Sequence, residues 1–78
     1  MTKLKLNIYP NPNKGEFVIE GMGCELYKIH DLTGRLCVSN HLSPTQEKQS
    51  IQTKLLPGMY VLTVVQNQQI ITTKVIIE

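Results

Sequence analysis

Residues Tyr9–Gly21 read YPNPNKGEFVIEG. Two prolines bracket an asparagine, a glycine follows, and then Phe17 and Ile19 stand at alternate positions. Each proline lacks a backbone donor and pushes its predecessor into extended geometry, so Tyr9-Pro10-Asn11-Pro12 ends a strand and cannot lengthen it. Asn13-Lys14-Gly15 then reverses the chain into a second strand, Glu16–Glu20. With two φ angles already fixed, the corner has little conformational entropy to lose on folding. A strand, a stiff corner and another strand so early in the chain set a pattern that the remaining residues keep.

Turn signals recur at Gly21-Met22-Gly23, Asp31-Leu32-Thr33-Gly34, Ser43-Pro44-Thr45 and Pro57-Gly58, with a weaker polar one at Gln66-Asn67-Gln68-Gln69. Gly supplies positive φ, Pro fixes φ, and Asn or Asp accepts hydrogen bonds from its own turn. Between them lie strand-length segments with alternating apolar residues: 4–8, 16–20, 27–30, 36–39, 59–64 and 73–77. Period-two patterning with turns at such short intervals predicts an all-β antiparallel sandwich. The one segment rich in helix formers, Pro44–Leu55, lacks apolar anchors at helical spacing. It reads as a loop entering a polar edge strand, with Ile51 buried.

Alternation also assigns the faces. Leu4, Leu6, Ile8, Phe17, Ile19, Tyr27, Ile29, Leu36, Val38, Ile51, Tyr60, Leu62, Val64, Val75 and Ile77 are expected inside, and Lys5, Lys28, His30, Thr63 and Lys74 outside. With no tryptophan and one phenylalanine, the core is aliphatic.

At 78 residues the chain reads as one domain, 1–78, with its core from about residue 4. A net charge of +2 from scattered basic residues does not form the basic face of a nucleic-acid binder. No apolar run approaches the roughly 20 residues of a spanning helix. The N-terminus MTKLKLNIYP lacks the apolar region of a signal peptide. The chain therefore reads either as cytoplasmic or as a fragment of a larger exported protein.

Cys24 and Cys37 permit one disulfide. If Leu26–Asp31 and Arg35–Asn40 form a hairpin, residues whose numbers sum to about 66 face each other. Cys37 then lies opposite Ile29, some five residues from Cys24, or about 16 Å at 3.3 Å per residue. A disulfide needs Cα atoms within about 7 Å, so two free thiols are expected unless the strands part into different sheets. Catalysis would need a nucleophile, a base and an orienting group. Cys37, His30 and Asp31 come nearest, but adjacent His30 and Asp31 point to opposite faces of a strand. Cys24, His30, Cys37 and His41 are the right atom types for zinc at the wrong spacing. No catalytic, metal, cofactor or small-molecule site is expected.

The motifs also come in a telling order: Tyr9-Pro10-Asn11-Pro12 with Gly15, then Tyr27-x-Ile29-x-Asp31-x-x-Gly34-Arg35-Leu36. Leu55-x-x-Gly58-x-Tyr60-Val61-Leu62 and a terminal Lys74-Val75-Ile76-Ile77-Glu78 complete the series. From about Leu6 to Glu78 this succession resembles the type A C-terminal sorting domain of the bacterial type IX (Por) secretion system. The resemblance implies an all-β, immunoglobulin-like antiparallel sandwich of about seven short strands, a Bacteroidetes protein and a non-catalytic signal at the end of a cargo protein. That signal folds in the periplasm, is recognised by an outer-membrane translocon, and is usually removed by a sortase. The cargo would then reach the cell surface or the medium. The implied partners are that translocon and sortase, with an N-terminal cargo domain in cis, and the domain itself is expected as a monomer. Where some members carry an acidic residue, this chain has Thr53.

Two surfaces could carry such an address. One is the last strand, where Lys74, Val75, Ile76, Ile77 and Glu78 form the candidate translocon-recognition segment. At a sheet edge its unpaired backbone could add to a partner strand. The other is the Pro10–Gly15 corner, preorganised and so inexpensive to recognise. The remaining motif residues have structural readings. Gly34 takes positive φ in a bulged turn held by Asp31, Gly58 sits at position i+2 of a type II turn, and Tyr60 is a core ring with a bonded hydroxyl. Arg35 pairs with Asp31 or Glu25, or contacts the translocon. The alternative function is an immunoglobulin-like spacer or adhesion module binding a glycan or protein through end loops.

Overall fold

β-Branched and aliphatic residues at every second position form strands wherever no proline or glycine intervenes. The computed structural model describes residues 6–78; the expectations for Leu4 and Lys5 lie outside them. Among the described residues there are seven strands and no helix. They are β1 (Asn7–Tyr9), β2 (Glu16–Glu20), β3 (Cys24–Asp31), β4 (Leu36–His41), β5 (Lys48–Gln52), β6 (Gly58–Gln66) and β7 (Gln69–Ile77). They build two antiparallel sheets, β1-β2-β5 and β4-β3-β6-β7, consistent with an immunoglobulin-like sandwich. The polar segment after Pro44 enters β5, an edge strand beside β2, and Ile51 is its buried residue.

Phe17, Ile19, Tyr27, Ile29, Ile51, Tyr60, Leu62, Val64, Val75 and Ile77 meet in one core, as the alternation requires. Leu6, Ile8 and Val38 pack against it. Leu36 does not: half of it is exposed. The cause is a bulge in the β3–β4 ladder between Ile29 and His30, where Val38 faces Ile29 but Leu36 faces His30. One extra residue, Cys37, turns toward the core in place of Leu36, because a single-residue slip flips side chains to the other face. The expected pairing of Cys37 with Ile29 is corrected accordingly. Cys24, at the far end of β3, is fully buried, and both cysteines are free thiols.

Tyr60 lies in the core near the start of β6, and its hydroxyl donates to Leu56 O at 2.6 Å. A tyrosine near a strand start bonded to backbone a few residues upstream is the tyrosine-corner device of such sandwiches. Gly58 departs from the expected type II turn. It is already the first residue of β6, paired with Ile77, with φ 157°, far from the roughly +80° that position i+2 requires.

The weakest turn signal proves the tightest turn. Asn67 and Gln68, with φ 49° and 67°, link the facing pair Gln66 and Gln69. Two left-handed residues make a type I′ hairpin, where Asn-Gly is strongly preferred. Gln68→Gly is therefore expected to stabilise the fold by about 0.5–1 kcal/mol. Thermal unfolding should show a rise of roughly 3–6 °C.

Candidate functional site

β7 is an edge strand, with β6 on one side and, among the described residues, no strand on the other. In an antiparallel pair only alternate residues bond across the ladder. The tight hairpin makes Gln69 a bonded residue, so Ile70, Thr72, Lys74 and Ile76 turn their N–H and C=O groups outward. At the end of the strand those groups are not free. Asn11 Nδ2 donates to Lys74 O at 3.0 Å, and Ile76 N–H donates to Asn11 Oδ1 at 2.9 Å. Asn13 N–H donates to Ile76 O at 2.9 Å, and Glu78 N–H donates to Asn13 O at 2.7 Å. The corner thus runs beside β7 in place of a strand, with Asn13 in parallel bridge to Ile77.

The two surfaces that the sequence offers separately are therefore one. Pro10–Gly15 crosses from β1 of one sheet to the edge of the other and staples them together. Both peptide bonds into its prolines are cis. Asn13 is only 4% exposed. Its Nδ2 donates to Pro10 O at 3.1 Å, and its Oδ1 accepts from Gly15 N–H at 2.8 Å. Gly15 has φ 98°, and a Cβ there would stand 3.0 Å from Thr53 O. Thr53 closes the far side, its N–H and hydroxyl both donating to Gly15 O at 2.7 and 3.2 Å. A carboxylate at Thr53 could not make that hydroxyl bond.

Of the terminal residues, Val75 and Ile77 point into the core, while Lys74 and Glu78 are exposed and Ile76 is half-buried. What the segment displays is therefore Lys74, Ile76 and Glu78. The sequence motif marked the five residues but not their partners, because Asn11 lies 63 and 65 positions from the groups it bonds. The buried polar Asn13 was the missed member. A buried asparagine between prolines and a glycine is the signal that could have pointed to it, since buried amides are bonded.

The Asp31–Gly34–Arg35 motif is separate from this edge and structural. Gly34, at φ 89°, donates its N–H to Asp31 O at 3.0 Å. The Asp31 carboxylate accepts from Thr33 Oγ1 (2.6 Å), Thr33 N–H (2.9 Å) and Arg35 N–H (3.0 Å). It is the Arg35 backbone that Asp31 binds; the guanidinium makes no salt bridge among the described residues. The Thr33 hydroxyl first, then the Arg35 N–H, hold the Asp31 carboxyl below its usual range. Its charged form is favoured on folding, so the stabilisation is present above the unfolded value near 3.9 and disappears as pH falls through the lower folded value. Asp31→Asn should therefore flatten the acid limb of the urea midpoint measured from about pH 5 to about pH 2.

Burial pushes the Cys24 thiol up, and its Sγ donates to Gly21 O at 3.4 Å. His30 shares the outer face of its sheet with Leu36, while Asp31 is engaged in its turn. Among the described residues no three His, Cys, Asp or Glu side chains are grouped to hold a metal ion. A groove of about 590 Å³ opens between β4 and β5 beside Tyr27, Asn40 and Gln49, and none of the terminal motif residues line it.

A family model described as the secretion system C-terminal sorting domain matches residues 7–78, a span that includes every strand of both sheets. No curated protein matches the sequence. The matched span contains both the corner and the terminal strand it covers, and the chain belongs to the family of type IX secretion system C-terminal sorting domains.

Proposed function

We propose that the whole chain acts as one non-catalytic address domain whose label is Lys74–Glu78. A cargo protein precedes it, the outer-membrane translocon reads the label from the periplasm, and a sortase removes the domain once the cargo has crossed. Membership of a family of secretion sorting signals supports export to the surface or beyond. The observation that carries the choice of label is the corner. Asn11 and Asn13 occupy every outward backbone group from Lys74 O to Glu78 N–H, which holds Lys74, Ile76 and Glu78 in one extended shape. A label fixed in advance loses little entropy when bound.

The reading is tested by fusing residues 1–78 to a periplasmic reporter in a strain with a working type IX system and in a secretion-null strain. Surface delivery in the first and retention in the second is expected. Retention in both would overturn the sorting role of this chain.

A further inference from the structure

β7 has two unlike halves. The corner covers its edge from Lys74 O onward, but nothing among the described residues pairs with the outward N–H and C=O groups of Ile70 and Thr72, or with the N–H of Lys74. Five strand-spaced backbone groups are therefore unpaired among the described residues. Ile70, at this open end, is 73% exposed. Across the sheet it faces Val65, which in turn faces Leu26, both half-buried, so the row is apolar. An edge strand normally blunts such a stretch with charge, proline or a cover; here the cover stops at Lys74. β6 and β7 contain no aspartate or glutamate, and the exposed Lys74 is their only charge.

We infer that the open half of β7, Ile70 to Lys74, is a docking edge for an extended strand of the secretion machinery. That strand carries an apolar side chain beside Ile70 and an acidic one beside Lys74. Backbone pairing supplies affinity, alternate side chains supply selectivity, and the corner sets where the added strand must stop. The Asn13–Ile77 bridge is a precedent within the chain, since this edge already holds one strand-like partner. The partner's assignment to the machinery rests on the sorting reading above.

Proline is tolerated on an edge strand where its missing N–H faces solvent. Thr72→Pro therefore deletes one docking donor without touching the bonds to β6, and Thr72→Val keeps it. Ile70→Lys leaves the backbone intact but places a guarding charge on the open edge. In the reporter fusion, Thr72→Pro and Ile70→Lys should each lower surface delivery about tenfold or more, the factor expected for a lost hydrogen bond at a desolvated interface. Thr72→Val should be delivered normally, and melting temperatures of the isolated variants should stay near that of the parent. If Thr72→Pro unfolds the domain, Ile70→Lys decides. Normal delivery by a folded Thr72→Pro or by Ile70→Lys overturns the docking edge while leaving the sorting role standing; failure of the parent fusion overturns both. A dimer of the isolated chain that Thr72→Pro abolishes, with delivery unaffected, would overturn it too and give the edge to a second copy.

Discussion

Replacing Asn13 by alanine is expected to cost about 2–4 kcal/mol, a large share of the stability of a domain this small. The side chain is buried and does two jobs at once, donating to Pro10 O and accepting from the Gly15 N–H. Alanine strands the buried Gly15 N–H where water cannot replace the amide, and leaves the part-buried Pro10 O without its donor; an unsatisfied buried group costs its full desolvation. The loss also loosens the backbone that bonds Ile76 and Glu78, so the edge of β7 opens with it. Asn11 is the internal control. It also makes two hydrogen bonds, but it is exposed, as is Lys74, so water can stand in for its amide. Asn11→Ala should cost about 1 kcal/mol. Thermal unfolding should separate the two variants: a fall on the order of 10–20 °C for Asn13→Ala, and a few degrees for Asn11→Ala. Equal shifts would mean that the corner is not a buried structural element.

Deleting Lys74–Glu78 should abolish export, leaving the reporter on the periplasmic side of the outer membrane. Two effects act together. The deletion removes the displayed side chains Lys74, Ile76 and Glu78. It also removes Val75 and Ile77, whose burial is worth about 1.5–3 kcal/mol each, and leaves Asn11 and Asn13 without the strand they hold. A domain with roughly 5–15 kcal/mol of stability or less loses much of it in this way. Fractionation of cells carrying the truncated fusion provides the measurement. Surface delivery at the parent level would show that neither the fold of this edge nor its residues are needed.

Much of this was legible in the sequence, because local rules decide it. Pro, Gly and Asn placed the turns, and alternation placed nearly every core residue from Phe17 to Ile77. Even Asn67-Gln68, with no glycine, was identifiable by polarity alone, although its left-handed backbone was not. The misreadings have physical causes. Leu36 lies outside because a bulge shifts the period at His30, and nothing in LCVSNH announces an inserted residue. Gly58 begins a strand because the distant Ile77 pairs with it. The corner could be recognised as stiff, but its target could not be recognised at all. What Asn11 and Asn13 bond is settled by how two sheets pack, and no local pattern encodes contact with the last strand.

The joining of corner and strand also explains why a sorting signal should be folded. A free five-residue tail would sample many conformations, and fixing each residue costs on the order of 1 kcal/mol or more. Here β6 holds one side of the ribbon and the asparagines hold the other, so that ordering has taken place before any partner arrives.

The central claim is that the outward side chains of this held ribbon are read. Lys74→Glu combined with Ile76→Thr changes them while leaving Val75, Ile77 and the backbone bonds to Asn11 and Asn13 in place. The measurement is the ratio of surface to periplasmic reporter for this fusion against the parent, at matched expression and with melting temperatures compared. A fall of about tenfold or more, with the fold intact, is the predicted result. Delivery at the parent level by a folded double variant would contradict it.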